Sequence, residues 1–332
     1  MVNRRLLFIY ASMLTLLFLA FLFSLTYGLN GISFFAALNA LFNVGDENII
    51  TIIKLIRFKR IIMVCVTGAV LGGSGCVFQA ILKNPLADPF TLGISGGAIL
   101  GASIAFISGL SAIVSFFTPL FAFAGAAFSV FTVYVFGFKG KFDSNIMILS
   151  GVVVSYAFSS IVMLMFSLSQ STGVQQSFMW LMGNFSIFDE RLAPFVIIVA
   201  AVGLTILFLS GNIIDGISLE REKAETIGNN VEKNIKIVFF ITSLIIAAVV
   251  SVCGIIGFVG LMIPHSMRIF VGTRSMLLIP ASVISGALFL LLCDTLSKII
   301  FAPAVIPAGI ITSVLGGAFF IFLLVKAKKS SV

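Results

Sequence analysis

The chain has 332 residues, of which 60% are hydrophobic and 10% are charged, and its formal net charge is +8. A soluble domain typically has about 25% charged residues, so this composition excludes a soluble enzyme, a secreted disulfide scaffold and a disordered chain. A membrane-spanning helix needs about 20 apolar residues, and about ten such helices would account for the apolar share of this chain. The composition therefore predicts an all-α integral membrane protein with about ten transmembrane helices per subunit.

Ten apolar segments follow one another along the chain. Two prolines within 83–89 end the second segment, because proline cannot continue a helix interior. Glycines and Pro264 make the eighth segment short and broken. We expect the whole chain, 1–332, to form a single transmembrane domain. The predicted spans are 6–29, 61–82, 90–107, 114–136, 145–168, 192–209, 237–253, 255–271, 277–300 and 308–325.

The positions of the lysines and arginines predict the orientation. Ten spans with the N-terminus inside place both termini in the cytoplasm, and most of the 20 cations then lie on that side, as the positive-inside rule requires. The cations on the opposite side include four within 54–60, and Lys298. An anionic partner outside the membrane would explain this cluster. Lipid headgroups or a local acid such as Asp294 are the alternatives.

Few residues carry reactive chemistry. Asp294 lies within the ninth span, and Lys298 follows at i+4, so the two are expected to pair. The four cysteines lie in apolar runs, and the single histidine, His265, has no neighbouring ligands, so we predict no metal site and no cofactor. The sequence has no P-loop, so the chain is not expected to act as an ATPase or another enzyme.

Small residues recur at a spacing of four in three spans, where they let helix backbones approach closely. Close packing within one bundle and a subunit interface are both compatible with these stripes. They are formed by Gly68 and Gly72, by Gly93, Gly97 and Gly101, and by Gly309, Ser313 and Gly317.

The longest hydrophilic segment lies between the sixth and seventh spans. Its residues 219–228 read as a short charged helix that Asp215 or Ser218 would cap and Gly228 would end. Leu219, Lys223 and Ile227 fall on one face of that helix. The segment is either a solvated loop or a helix that enters a groove of a partner protein.

Five stretches of the sequence resemble the FecCD family, the permease subunits of ABC importers for ferric siderophores, haem and cobalamin. Arg57 to Arg60 is similar to the family's R-x-P-R motif, with Lys59 in place of proline. Residues 72–97, 219–231, 254–268 and 280–320 also match, although Val305 and Ala318 depart from the pattern. The motif positions are Asn84, Pro85, Asp88, Pro89, Gly93, Gly97, Gly257, Gly260, Pro264 and Asp294.

The resemblance implies a homodimer, or a heterodimer of related permeases, in the cytoplasmic (inner) membrane of a bacterium. It implies two ATP-binding subunits inside and a substrate-binding protein outside, with the cations Arg57, Arg60 and Lys298 as its docking residues. The segment 212–234 would couple to the ATPase through Leu219, Glu222, Lys223, Ala224, Ile227 and Gly228. The candidate path and gate residues are Gln79, Ser155, Ser159 and Ser160.

Two other functions fit a polytopic membrane protein. An ion-coupled secondary transporter acting without an ATPase would also have broken spans, but it usually needs several acids within the membrane. A membrane scaffold or sensor would need neither an ATPase nor a binding protein. We favour the importer permease, with no nucleic acid among its partners.

Overall fold

A computed structural model describes residues 4–27, 32–138, 142–185, 190–218, 231–300, 302 and 304–330, and the secondary structure in these ranges is helical. The α-helices are α1 (Arg4–Thr26), α2 (Phe34–Leu41), α3 (Glu47–Thr51), α4 (Lys59–Ile81), α5 (Ile94–Ile107), α6 (Leu110–Ile113), α7 (Phe117–Gly137), α8 (Ser144–Leu168), α9 (Gly173–Leu181), α10 (Ala193–Leu209), α11 (Gly211–Ser218), α12 (Val231–Cys253), α13 (Val259–Val271), α14 (Ser275–Ile299) and α15 (Ala308–Ser330). A π-helix (Ile52–Phe58) and 3₁₀ turns (Pro89–Leu92 and Glu190–Leu192) complete the set.

The predicted membrane architecture is confirmed. Among the described residues, seven helices are long and apolar enough to cross a bilayer. Helices α10 and α11 form a further candidate span that is bent by 60°, and α5 and α13 are shorter apolar helices. These ten elements coincide with the ten predicted segments. The sequence did not predict α2, α3 and α9, which lie in the connections.

The second predicted span is part of a longer continuous helix. Asp46 caps α3 by accepting from the Asn48 N–H, and the chain then runs through the π-helix into α4. The 35 residues from Glu47 to Ile81 extend for about 52 Å, well beyond the roughly 30 Å hydrocarbon core. Lys59 retains the backbone N–H that proline lacks, so the helix continues through this position.

Helix α4 is the centre of the bundle and runs antiparallel to α14. Arg60 pairs with Asp294, Gly68 lies against Gly286, and Gly72 lies against Ser282. A Cβ at either of these α4 glycines would overlap the α14 backbone, so the small residues permit this contact. The packing explanation is therefore confirmed for this stripe.

The other two glycine stripes differ from each other. On α5, Gly97 and Gly101 lie against the backbone of α7 at Gly125 and Phe121. On α15, Gly309 lies against the Met182 carbonyl, whereas nothing described lies within 4 Å of a Cβ at Gly317. The α5 stripe therefore packs against another helix of the same subunit, whereas only part of the α15 stripe makes such contacts.

Helix α1 lies at the edge of the bundle, where many of its large apolar side chains are exposed. Hydrogen bonds attach this helix to the rest of the bundle near both of its ends. The Tyr10 hydroxyl donates to the carbonyl of Leu277 near the start of α14. The Arg57 guanidinium donates to the carbonyls of Leu25 and Thr26 at the end of α1.

Candidate functional site

The predicted cation cluster forms a compact group at one end of the bundle. Arg60 Nη2 lies 2.7 Å from Asp294 Oδ1, and Lys298 Nζ lies 2.6 Å from Asp294 Oδ2. The Asp294 side chain is fully buried, and the Arg60 and Lys298 side chains are each 12% exposed. The predicted i,i+4 pair between Asp294 and Lys298 is confirmed, and Arg60 makes it a triad with one more positive than negative charge.

Arg57 lies beside this triad and has a different type of partner. Its Nη1 atom donates to the carbonyl oxygens of Leu25 at 2.9 Å and Thr26 at 2.8 Å. These carbonyls belong to the last turn of α1, where the helix dipole favours a cation. The three predicted docking residues therefore come together, and we call this group, with Asp294, the Asp294 end.

The two most specific sequence motifs pack against each other. The Gln79 side-chain amide donates to the carbonyls of Gly260 at 3.3 Å and Leu261 at 3.2 Å, which links α4 to α13. A Cβ at Gly260 would lie 2.8 Å from Cδ of Pro89, so glycine is required for this contact. The motif N-P-L-A-D-P thus positions the start of α13.

Asp88 holds the loop that leads into α13. Its carboxylate accepts hydrogen bonds from the backbone N–H groups of Phe90 and Phe258. Phe258 has a φ of +68°, a left-handed conformation that is uncommon for a residue with a side chain. Burial disfavours the charged form of Asp88 and raises its pKa to about 6.

A second group of cations lines a cavity at the opposite end of α4. The cavity has a volume of about 470 Å³ and lies where the end of α4 meets α11, the end of α13 and the start of α14. Its polar lining includes Lys83, Arg268, Arg274, Gln79, Asn84 and Asp215. We call this group the Arg268 end.

Asp215 makes a contact that the sequence did not predict. It lies in α11, and its Oδ1 atom accepts a hydrogen bond of 2.8 Å from the N–H of Ser275, the first residue of α14. Asp215 thus satisfies the N-terminus of a helix that begins 60 residues later. The predicted cap of residues 219–228 by Asp215 or Ser218 concerns a segment outside the described residues and stays a prediction.

Comparison with known proteins decides the family. The model of the FecCD transport family matches residues 16–326. The chain belongs to this family. The FeuC permease of the iron-uptake system of Bacillus subtilis is 31% identical over 96% of this chain and 98% of its own length. The BtuC permease of the cobalamin import system of Halobacterium salinarum is 34% identical over 82% of this chain and 73% of its own.

A solved structure extends the comparison to the fold. A metal-chelate type ABC transporter in an inward-facing conformation aligns with a TM-score of 0.83 and 26% identity, over 97% of this chain and 99% of its own. The chain is therefore a multi-pass membrane permease of an ABC importer. The resemblance found in the motifs is confirmed.

The candidate path residues of this FecCD permease do not form one cluster. Gln79 is 3% exposed and contacts α13, and its Oε1 atom has no hydrogen-bond partner among the described residues. Ser155 on α8 lies against Gly96 of α5, and its Oγ atom is likewise buried without a partner there. Ser159 is partly buried on the same helix, and Ser160 is exposed. The gate assignment for all four remains a prediction.

The proposed ATPase contact falls largely outside the described residues, which omit 219–230 and with them Leu219, Glu222, Lys223, Ala224, Ile227 and Gly228. The flanks of the segment 212–234 are described. Helix α11 ends at Ser218, and α12 begins at Val231. Within α12, Glu232 and Lys236 form an i,i+4 pair of 3.1 Å at the surface.

A second cavity, of about 390 Å³, lies between the α5–α7 connection and α9, and sequence reasoning missed it. Its described lining carries no charge and combines amides and hydroxyls with aromatic rings. The lining residues include Ser111, Ser115, Thr118, Gln175, Gln176, Trp180 and Asn184. Helix α9 is too short to be predicted as a membrane span, so the sequence did not indicate that its glutamines line a cavity.

The lone histidine lies on α13 beside two rings of α15. The ring centroids of Phe319 and Phe320 are 6.4 Å and 6.5 Å from that of His265. Among the described residues, no three His, Cys, Asp or Glu side chains are placed to hold a metal ion. His265 lies next to these rings, and the prediction of no metal ligand role stays a prediction.

Proposed function

We propose that this chain is the permease subunit of a binding-protein-dependent ABC importer for an iron chelate, such as a siderophore complex or haem, or for a cobalamin-like substrate. Two copies, or one copy and a related permease, form the path at their interface, and two ATP-binding subunits inside supply the energy. The iron-uptake and cobalamin relatives support this range of cargo. Both termini are then cytoplasmic, in the inner membrane of a bacterium.

The charge balance at the Asp294 end carries the proposal. In the proposed orientation this end faces outside, against the usual bias that keeps cations in the cytoplasm. Asp294 can neutralise one of the two cations that it contacts, and Arg57 adds a further positive charge nearby. An excess of positive charge at the outer end of the bundle suits an acidic face of a substrate-binding protein, because complementary charge speeds encounter and fixes the docked orientation.

The ATPase is proposed to contact the opposite end of the same bundle, through the segment 212–234. Helix α12 continues from that segment into the membrane. Closure of the ATPase dimer would move this segment, and the packed helices would carry the motion as rigid bodies between outward-open and inward-open states. Cargo then passes between the two permease subunits.

The test is a charge reversal at the outer surface in a reconstituted complex. Arg57→Glu, combined with Arg60→Lys to keep the ion pair with Asp294, should weaken docking of the binding protein at least tenfold. The readout is the concentration of binding protein that half-maximally stimulates ATP hydrolysis in proteoliposomes. Lys326→Glu is the matched control, because it reverses an exposed cation on α15 that lies outside this cluster, and stimulation should then be unchanged.

Unchanged stimulation in the Arg57→Glu, Arg60→Lys variant would contradict the docking assignment. Native mass spectrometry of the gently extracted complex checks its composition, and two permease copies with two ATPase subunits are expected. Transport that survives depletion of ATP would instead identify an ion-coupled secondary transporter.

A further inference from the structure

Helix α2 is apolar on two opposite faces, although its 8 residues are too few to span a membrane. Its small side chains, Ala37 and Ala40, are 0% and 1% exposed and pack toward the bundle. Phe35 and Phe42 lie about two helical turns apart on the other face and are 78% and 74% exposed. A bulky apolar face in water is unfavourable, so this face is expected to have an apolar partner.

Hydrogen bonds place α2 at the level of the membrane boundary. Helix α1 has 23 residues and is about 34 Å long, close to the roughly 30 Å hydrocarbon core, so Thr26 at its end lies near the edge of that core. Arg57 donates to the Thr26 carbonyl at 2.8 Å and therefore lies at the same level. Lys54 is about one helical turn farther out and donates to Asn43, the residue after Phe42, at 2.6 Å. Phe42 is thus held close to the headgroup layer.

The exposed face of α2 continues a surface that already faces lipid. On α1, which crosses the membrane at the edge of the bundle, the rings of Phe23 and Tyr27 stack with 4.4 Å between their centroids and are 43% and 53% exposed. Helix α2 contacts α1 as well as α3 and the π-helix. Large apolar side chains at this level are those that insert into the boundary between headgroups and acyl chains. The bilayer is therefore the apolar partner next to this face.

We propose that α2 is an interfacial anchor that lies in the plane of the membrane, with Phe35 and Phe42 inserted between lipid acyl chains just below the headgroups. The partner is a lipid surface, and the proposal is independent of the cargo, the binding protein and the ATPase. Because α2 packs against the π-helix that carries Arg57, the anchor would set the depth of the Asp294 end in the bilayer.

The test is quenching of tryptophan fluorescence by brominated lipids in nanodiscs. Phe35→Trp and Phe42→Trp each place a probe on the exposed face. Trp180 is the single tryptophan of the chain, so its quenching is measured in the wild type and subtracted. Bromine on the acyl chain near the headgroup should lower the emission of both probes at least twofold, and more than bromine near the end of the chain does.

Two further positions calibrate the signal. Leu16→Trp lies at a half-exposed position in the middle of α1 and should be quenched most by bromine near the end of the acyl chain. Asn48→Trp lies at an exposed position on α3, about 13 Å beyond Arg57 along the helix, and should be quenched by iodide in the buffer but not by brominated lipid.

Two results would overturn the proposal. If iodide quenches Phe35→Trp and Phe42→Trp as readily as Asn48→Trp and brominated lipid does not, the face of α2 points into water. If both probes resist iodide and brominated lipid alike, the face is covered by protein, such as a second copy of the chain. Each variant is compared after its melting temperature is shown to match the wild type, so that a folding defect cannot imitate either result.

Discussion

The Asp294 end and the Arg268 end each gather three cations around one carboxylate, but they use that carboxylate differently. Asp294 binds Arg60 and Lys298 directly and is fully buried between them. Asp215 accepts from the N–H of Ser275 and lines a cavity together with Lys83, Arg268 and Arg274. The same residue types thus build a closed ion-pair cluster at one end and an open cationic cavity at the other.

This difference predicts unequal contributions of the two acids to stability. A buried acid between two cations holds two helices in register, and its removal leaves uncompensated charge in the interior. An acid that caps a helix contributes one hydrogen bond, which a neutral acceptor can replace. Charge counting alone would treat the two ends as equivalent, whereas their hydrogen bonds give them separate roles.

The largest effect is expected at Asp294. Asp294→Asn should lower the free energy of unfolding by about 3–5 kcal/mol, because Arg60 and Lys298 would remain buried without a counter-charge. The measurement is thermal unfolding of the purified permease in detergent. Glu232→Gln is the matched control, since the exposed i,i+4 pair of Glu232 and Lys236 is worth at most about 0.5 kcal/mol. Equal destabilisation by the two variants would show that burial of the triad is irrelevant.

An intermediate effect is expected from the pH dependence of Asp88. Its pKa is raised to about 6, so the folded state binds a proton more readily than the unfolded state. Stability should therefore decrease as the pH rises from about 4 to about 6, by at most about 1.4 kcal/mol per pH unit, and should change little above that range. Melting curves between pH 4 and 8 test this.

Asp88→Asn is the comparison that isolates this carboxyl group. The amide keeps an oxygen for the N–H of Phe90 but cannot titrate, so its melting curve should lose the slope between pH 4 and 6. If the slope persists in this variant, another group is responsible for it. The result would sharpen the contrast between Asp88, whose carboxyl is easily protonated, and Asp294, which is held by two cations.

The smallest effect is expected at Asp215. Asp215→Ala should cost about 1 kcal/mol of stability through loss of the cap on α14, whereas Asp215→Asn should cost only a few tenths of a kcal/mol. Thermal unfolding of the two variants provides the measurement. A large loss of stability for Asp215→Asn would mean that the negative charge of Asp215, and not its acceptor oxygen, stabilises the fold. Asp215 and Asp294 would then stabilise the fold in the same way.

The sequence predicts the elements that depend on local pattern. Runs of about 20 apolar residues identified the spans, because each helix that crosses a bilayer must be long and apolar whatever its neighbours are. The pairing of Asp294 with Lys298 was predictable for the same reason, since i,i+4 neighbours meet on any helix. The motif residues around Asn84 and Gly260 were recognisable as a family pattern.

Contacts between distant segments were not predictable from local pattern. Arg60 reaches Asp294 across 234 residues, and Asp215 reaches Ser275 across 60. Nothing near Asp215 in the sequence indicates that one of its partners is the start of α14. The short helices α2, α3 and α9 were missed because they lie in the connections and are shorter than a membrane span.

The bond between Tyr10 and Leu277 has a consequence for the biogenesis of the protein. The first helix enters the membrane long before its neighbour exists, because 267 residues separate these two positions. At a synthesis rate of about 5–20 residues per second, roughly 15–50 s pass before this bond can form, whereas the bonds from Arg57 to the other end of α1 span only 31 and 32 residues. During that interval the face of α1 that later meets α14 must be solvated by lipid, so the oldest helix completes its contacts late although one of its ends can be bound early.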